Sequence, residues 1–125
     1  MPATILIVDD SKVVRGMVRG ALTADDHRVV EAPGVREALA ALDAETVDLV
    51  ITDVNMPDAD GLALVRTLRG RPRERFTPVL VLTTEGGEDM KRLGREAGAT
   101  GWLVKPFDPE QLRHTVRRVL AARAR

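Results

Sequence analysis

Short apolar runs alternate along this chain with segments whose apolar residues recur every three or four positions. Thr4–Val8, Leu49–Thr52 and Val79–Leu82 are nearly unbroken and rich in β-branched residues, the composition of strands covered on both faces. Arg28–Ala32 is more polar, as an edge strand would be, and Gly101–Val104 makes a fifth.

The intervening segments show helical spacing. Val14, Met17, Val18 and Ala21 follow i, i+3, i+4, i+7, as do Val35, Ala38, Leu39 and Leu42, so each set is expected to face inward. A short third helix is expected from about Leu62 to Leu68. A fourth, Glu88–Ala97, offers only Met90, Leu93 and Ala97 as its stripe. It also contains Gly94, at a cost of roughly 1 kcal/mol relative to alanine, and is expected to be the least stable helix. The fifth begins at Pro109, which suits a first helical turn, and is expected to bury Leu112, Val116, Val119 and Leu120.

Five strands alternating with five helices imply βα units around a parallel sheet with right-handed crossovers. The fold class expected is α/β, a single (βα)5 doubly wound sheet, for which the flavodoxin-like strand order 2-1-3-4-5, with its switch point between strands 1 and 3, is the common solution. Asp9 and Asp10 end strand 1 and Asp53 ends strand 3. Three carboxylates therefore converge on the crevice where such folds bind ligands.

Composition narrows the picture further. The length of 125 residues fits one domain, 1–125. With 44% hydrophobic residues, 30% charged residues and zero formal net charge, the chain reads as an ordinary globular protein, neither disordered nor membrane-embedded. Charge balance argues against non-specific nucleic-acid binding. The chain has no cysteine, which excludes disulfides and thiolate metal sites and makes a reducing cytoplasm the default location. Two aspartates cut short the apolar start MPATILIVDD, so it is expected to be neither a signal peptide nor a membrane span.

Three carboxylates gathered without a counter-charge would repel one another. A hard divalent cation with oxygen ligands, Mg²⁺, fits such a cluster best, and Lys105 at the end of strand 5 adds a second positive charge. Taken singly, Asp9 and Asp10 could merely cap the first helix alongside Ser11, and Asp53 could begin a turn. The combination points elsewhere, because an Asp pair, a single Asp, a Thr and a Lys each follow a different strand run.

Those residues carry a resemblance over essentially the whole chain. Val8-Asp9-Asp10-Ser11, Thr52-Asp53-Val54-Asn55-Met56-Pro57 with Gly61 following, Leu82-Thr83-Thr84 and Val104-Lys105-Pro106-Phe107 together resemble a response-regulator receiver domain. The similarity is to the stand-alone chemotaxis type. The resemblance implies a single-domain response regulator of a two-component system, in which Asp53 takes a phosphoryl group from a sensor histidine kinase or a small acyl phosphate. Asp10, Asp53 and the Asn55 backbone carbonyl would bind Mg²⁺, with Asp9 acting mainly through a water. Lys105 would contact a phosphoryl oxygen and Thr83 would hydrogen-bond the new phosphate, switching the face made by helix 4, strand 5 and helix 5. It also implies a signalling protein that assists its own phosphorylation and dephosphorylation, rather than an enzyme acting on a separate substrate.

Several positions refine or strain that likeness. Trp102 stands where the family usually has a tyrosine or phenylalanine that turns inward on activation, and it reads either as that switch ring or as a partly buried strand aromatic. Asn55 and Glu85 occupy two positions that in the family tune dephosphorylation, and the pair implies a short-lived signal. The Lys105–Pro106 bond is expected, by resemblance, to be cis. Arginines gather at Arg66, Arg69, Arg71, Arg73 and Arg75 and again at Arg113, Arg117, Arg118, Arg123 and Arg125. A solvated helix end explains the second group, with a patch for an acidic kinase surface as the alternative. His27 and His114 receive no role.

Two enzyme-like readings use similar parts. Phosphatases of the haloacid-dehalogenase type phosphorylate an Asp after a strand, but need a second Asp two residues on as general acid. Asn55, which holds that position here, cannot donate the proton. A flavodoxin-like flavin binder would need a hydroxyl-rich phosphate loop where Asp9 and Asp10 stand. Because the chain ends soon after helix 5, its output is expected to be a binding event. The flagellar motor switch protein is the partner expected from the likeness of residues 98–112 to chemotaxis regulators. A histidine phosphotransfer protein of another phosphorelay is the alternative partner. Neither nucleic acid nor membrane insertion is expected.

Overall fold

In the computed structural model, which describes residues 2–54, 61–84 and 87–123, five strands and five helices alternate. They are β1 (Thr4–Val8), α1 (Lys12–Thr23), β2 (Arg28–Ala32), α2 (Val35–Ala44), β3 (Leu49–Asp53), α3 (Gly61–Arg69), β4 (Val79–Thr83), α4 (Glu88–Ala97), β5 (Gly101–Val104) and α5 (Pro109–Arg123). All pairings are parallel and the sheet order is β2-β1-β3-β4-β5, the α/β topology expected from the strand runs.

Alternation within the central strands serves two separate cores. Ile5, Ile7, Leu49, Ile51, Leu80 and Leu82 point to one side and pack with Val18 and Leu22 of α1 and Leu112 and Val116 of α5. Leu6, Val8, Val50, Val79 and Val81 point to the other, against α2, α3 and α4. Full burial of each Leu or Ile contributes about 1.5–3 kcal/mol, which explains why the middle positions of these strands are apolar.

Two helical stripes differ from expectation. Met17 is 44% exposed and Leu93 40% exposed, while Leu22 and Gly94 are buried. In α1 the inward arc is Val14, Val18, Ala21 and Leu22, so Val13 and Met17 form a second apolar pair on the solvent side. In α4 the glycine itself packs inward with Met90 and Ala97. A Cβ at residue 94 would make only an ordinary contact, 3.9 Å from the Ala99 Cβ, so burial at this position does not itself require glycine.

Backbone ties carry the sheet register into the loops at its carboxyl edge. The Asp9 amide donates to the Ala32 carbonyl at 3.1 Å, the Val54 amide to Leu82 at 3.1 Å, and the Lys105 amide to Thr83 at 2.7 Å. The last residues of β1, β3, β4 and β5 thereby form one continuous rim. Ser11 caps α1, its Oγ accepting from the Val14 amide at 3.2 Å. Among the described residues, no helix is long and apolar enough to cross a membrane.

Candidate functional site

The rim brings Asp9, Asp10 and Asp53 together: one carboxylate oxygen from each lies within 4.8 Å of the others. Asp9 and Asp53 are buried and Asp10 is exposed, so the cluster has two walls and one face toward solvent. Asp9 is held on both oxygens, Oδ1 accepting from the Ser11 amide at 2.9 Å and Oδ2 from Lys105 Nζ at 2.9 Å.

Lys105 closes the opposite side. Its Nζ also stands 3.2 Å from Asp53 Oδ1, so one ammonium bridges the ends of β1 and β3 from the end of β5. Burial pulls the Lys105 pKa down, but hydrogen bonds and charge from Asp9 and Asp53 outweigh it and leave the group above its ordinary value. The lysine is firmly cationic at neutral pH. Its peptide bond to Pro106 is cis, matching the expectation.

Three carboxylates against one ammonium leave the described cluster with a local excess of negative charge. The donors are all oxygen, and one carboxylate faces solvent. That chemistry fits a hard divalent cation such as Mg²⁺, which accepts a few carboxylates and keeps several waters. Thr83 lies at the end of β4, buried, with its carbonyl bonded to the Lys105 amide. Asn55 and Glu85, the two positions expected to tune dephosphorylation, lie outside the described residues, as do Met56 and Pro57.

Trp102 is half-buried against the core shared by α3 and α4, with Lys91 Nζ 5.4 Å and Arg95 Cζ 5.9 Å from its ring centroid. Two cations of α4 therefore brace the ring in the arrangement seen here.

Sequence reasoning missed three parts of this region. Gly61 was noted only as part of a motif; a Cβ there would lie 1.9 Å from the Asp53 carbonyl oxygen. Arg69, noted only as one of a cluster of arginines, donates from Nε to the Gly98 carbonyl and from Nη1 to the Glu74 and Thr77 carbonyls. Arg15 donates to the Asp9 carbonyl at 2.6 Å and to Glu31 at 3.0 Å. Only the i, i+4 spacing of Arg15 and Arg19 hinted at a shared target.

Comparison with known proteins adds a family. A profile of the response regulator receiver domain matches residues 5–117. The chain is 37% identical over 118 residues to a chemotaxis protein CheY homolog of Campylobacter jejuni, covering 93% of this chain and 91% of that one. It is 38% identical over 120 residues to response regulator MprA of Mycolicibacterium vanbaalenii, covering 96% of this chain but 51% of MprA. Among solved structures, chemotaxis protein CheY4 of Vibrio cholerae superposes with a TM-score of 0.91 at 44% identity, covering 95% of this chain and 99% of that one.

Proposed function

This chain belongs to the response-regulator receiver-domain family of two-component signalling, and from that premise we propose that Asp53 is the phosphoacceptor of a cytoplasmic single-domain regulator. The phosphodonor is a histidine kinase. The observation that carries the reading is the Lys105 ammonium bridging Asp9 and Asp53 beside a solvent-facing Asp10.

In the transfer, an Asp53 carboxylate oxygen forms the new bond to phosphorus as the bond from phosphorus to the donor's histidine nitrogen, or to the oxygen of a small acyl phosphate, breaks. Lys105, already 3.2 Å from Asp53 Oδ1, donates to a phosphoryl oxygen where negative charge develops. Asp9, Asp10 and Asp53 are the described residues that would hold Mg²⁺, with the Asn55 carbonyl added by the family resemblance, and the ion would supply charge neutralisation for the transferring group. Asp9 keeps Lys105 aimed into the cleft.

The product carries about −1.5 to −2 charge and additional strong acceptors at this position. Thr83 then hydrogen-bonds the phosphoryl group. Because its carbonyl holds the Lys105 amide, a shift at the end of β4 is passed to β5. Helix α4 is loosely held at its start: Gly87 supplies no side-chain cap, and the Lys91–Glu88 and Arg92–Asp89 pairs, whose acids are exposed, span 3.9 and 3.6 Å. The face of α4, β5 and α5 is therefore the output surface, with Trp102 inside it.

The likeness to chemotaxis proteins of Campylobacter and Vibrio supports the flagellar motor switch protein as partner. The similar identity to response regulator MprA means that the likeness is not confined to chemotaxis proteins, and the second reading is a receiver in another phosphorelay that passes its phosphoryl group to a histidine phosphotransfer protein. Incubation with acetyl phosphate and Mg²⁺ should add one phosphoryl group by intact mass, and Asp53→Asn should abolish the addition. An unmodified parent protein under those conditions defeats the proposal. Phosphodonor-dependent capture of flagellar switch protein, against transfer to a phosphotransfer protein, separates the two partners.

A further inference from the structure

The Asp9–Asp10 peptide is held from behind by a fixed cation. Arg15, one turn into α1 and only 14% exposed in its side chain, donates from Nη1 to the Asp9 carbonyl at 2.6 Å and from Nε to Glu31 Oε1 at 3.0 Å. Glu31 belongs to β2, and its other oxygen accepts from Arg19 Nε at 2.6 Å. The Arg19 hydrogen bond chiefly, with burial opposing and Arg15 adding to it, holds the Glu31 carboxyl below its ordinary value and keeps it charged. The preceding peptide is held by the same strand, since the Asp9 amide donates to the Ala32 carbonyl.

Asp9 and Asp10 differ in what holds their side chains. Both Asp9 oxygens are bonded to the protein. The exposed Asp10 carboxylate takes no hydrogen bond or ion pair among the described residues. Its direction is set by the peptide that leads into it, and the carbonyl of that peptide is the atom Arg15 grips. A guanidinium suits this task because its planar fork donates in two directions at once, whereas an ammonium is a point charge on a flexible stem.

We propose that Arg15, held by Glu31, is a positioning residue for divalent-cation binding: it fixes the Asp9–Asp10 peptide so that the Asp10 carboxylate is presented to the ion. This rests on the reading of the acid cluster as a Mg²⁺ site. Arg15 touches neither the ion nor the phosphoryl group. Groups that orient metal ligands from outside typically contribute about 10–100-fold in affinity.

The sign of the effect separates positioning from plain electrostatics. A cation near the cluster repels Mg²⁺, so if charge alone acted, Arg15→Gln would bind the ion more tightly. Positioning requires the opposite. Arg15→Lys keeps the charge and loses the fork, so any weakening there reports geometry. Arg19→Gln removes a bond to the same Glu31 yet has no route to the Asp9 carbonyl.

The test is a MgCl2 titration at constant ionic strength, followed by amide shifts of the full chain, with a thermal melt in chelator to compare folding. Arg15→Lys and Arg15→Gln should each bind Mg²⁺ about tenfold more weakly than the parent, Glu31→Gln should weaken it in the same direction, and Arg19→Gln should bind as the parent or slightly tighter. Arg15 variants that bind as tightly as the parent overturn the inference and leave the receiver reading intact. A parent that binds no Mg²⁺ overturns both. If Arg15→Gln fails to fold, the charge-conserving Arg15→Lys decides alone.

Discussion

Gly61 and Asp53 share a space that admits no side chain: a Cβ on residue 61 would sit 1.9 Å from the Asp53 carbonyl oxygen and 2.9 Å from its carbon. The Gly61 amide, opening α3, donates to the Val54 carbonyl at 2.9 Å. The start of α3 therefore presses directly on the backbone of the proposed phosphoacceptor. Gly61→Ala must push that backbone or the helix aside, at a cost of roughly 1–3 kcal/mol, the usual range for overpacking. A lower urea midpoint with slowed phosphorylation by acetyl phosphate is the expected result. Unchanged values for both would show that the contact is relieved cheaply.

Lys105 is the one cation ion-paired with the carboxylates of the acid cluster among the described residues. Lys105→Met leaves buried carboxylates facing one another, and because the site is partly open to water the expected destabilisation is roughly 1–3 kcal/mol rather than that of a deeply buried pair. Mg²⁺ should then raise the melting temperature more in the variant than in the parent, since ion and lysine neutralise the same charges. Equal gains in the two proteins would contradict this.

Arg69 ties three segments with one side chain. Its guanidinium bonds the carbonyls of Glu74 and Thr77 before β4 and of Gly98 at the end of α4, and burial lowers its pKa from the ordinary arginine value. Gly98 has φ +104°, and a Cβ there would meet Arg69 Cγ at 2.9 Å, so both residues are constrained by conformation and by space. Arg69→Ala strands part-buried carbonyls and should cost roughly 2–3 kcal/mol. Hydrogen exchange should rise at the end of α4 and before β4; a rise confined to α3 would argue against the tie.

His27 predicts the pH dependence of stability near neutrality. Burial lowers its pKa, with Asp25 partly opposing, and Nδ1 accepts from the Ala3 amide at 3.0 Å, a bond that only the unprotonated nitrogen can take. Below the ordinary value of 6.5 the unfolded chain binds a proton that the folded chain resists. Stability is therefore present above that pH and declines as pH falls through it. The Glu31 carboxyl, lowered from 4.5, acts only beneath this window. Unfolding free energy measured from pH 7.5 to 5.5 should fall in the parent and stay flatter in His27→Gln; parallel slopes would exclude His27 as the source.

Legibility differed between the sheet and the helices for a physical reason. Strands buried on both faces need unbroken apolar runs, and the polar residues that end each run mark the rim, so the strands and the positions of Asp9, Asp53, Thr83 and Lys105 could be read from the runs, whereas the order of the strands came from the common five-strand solution and the family resemblance. A helix with apolar residues around much of its circumference offers several arcs. In α1 the arc through Val14, Val18, Ala21 and Leu22 packs on the sheet while Val13 and Met17 face water, and only the neighbouring α5 decides between them. In α4 the packed arc runs through Met90, Gly94 and Ala97 while Leu93 is 40% exposed, a choice the sparse apolar stripe left open.

By itself the order of residues determined the class of fold, the edge along which the acids gather and the chemistry they can support, because these follow from local periodicity and from what ends each run. Tertiary structure alone decided which individual atoms those acids bond. Lys105 reaches Asp9 across 96 positions and Arg15 grips the Asp9 carbonyl while bonded to Glu31 on another strand. Such contacts depend on side-chain direction after the layers have packed, and no spacing along the chain encodes that direction.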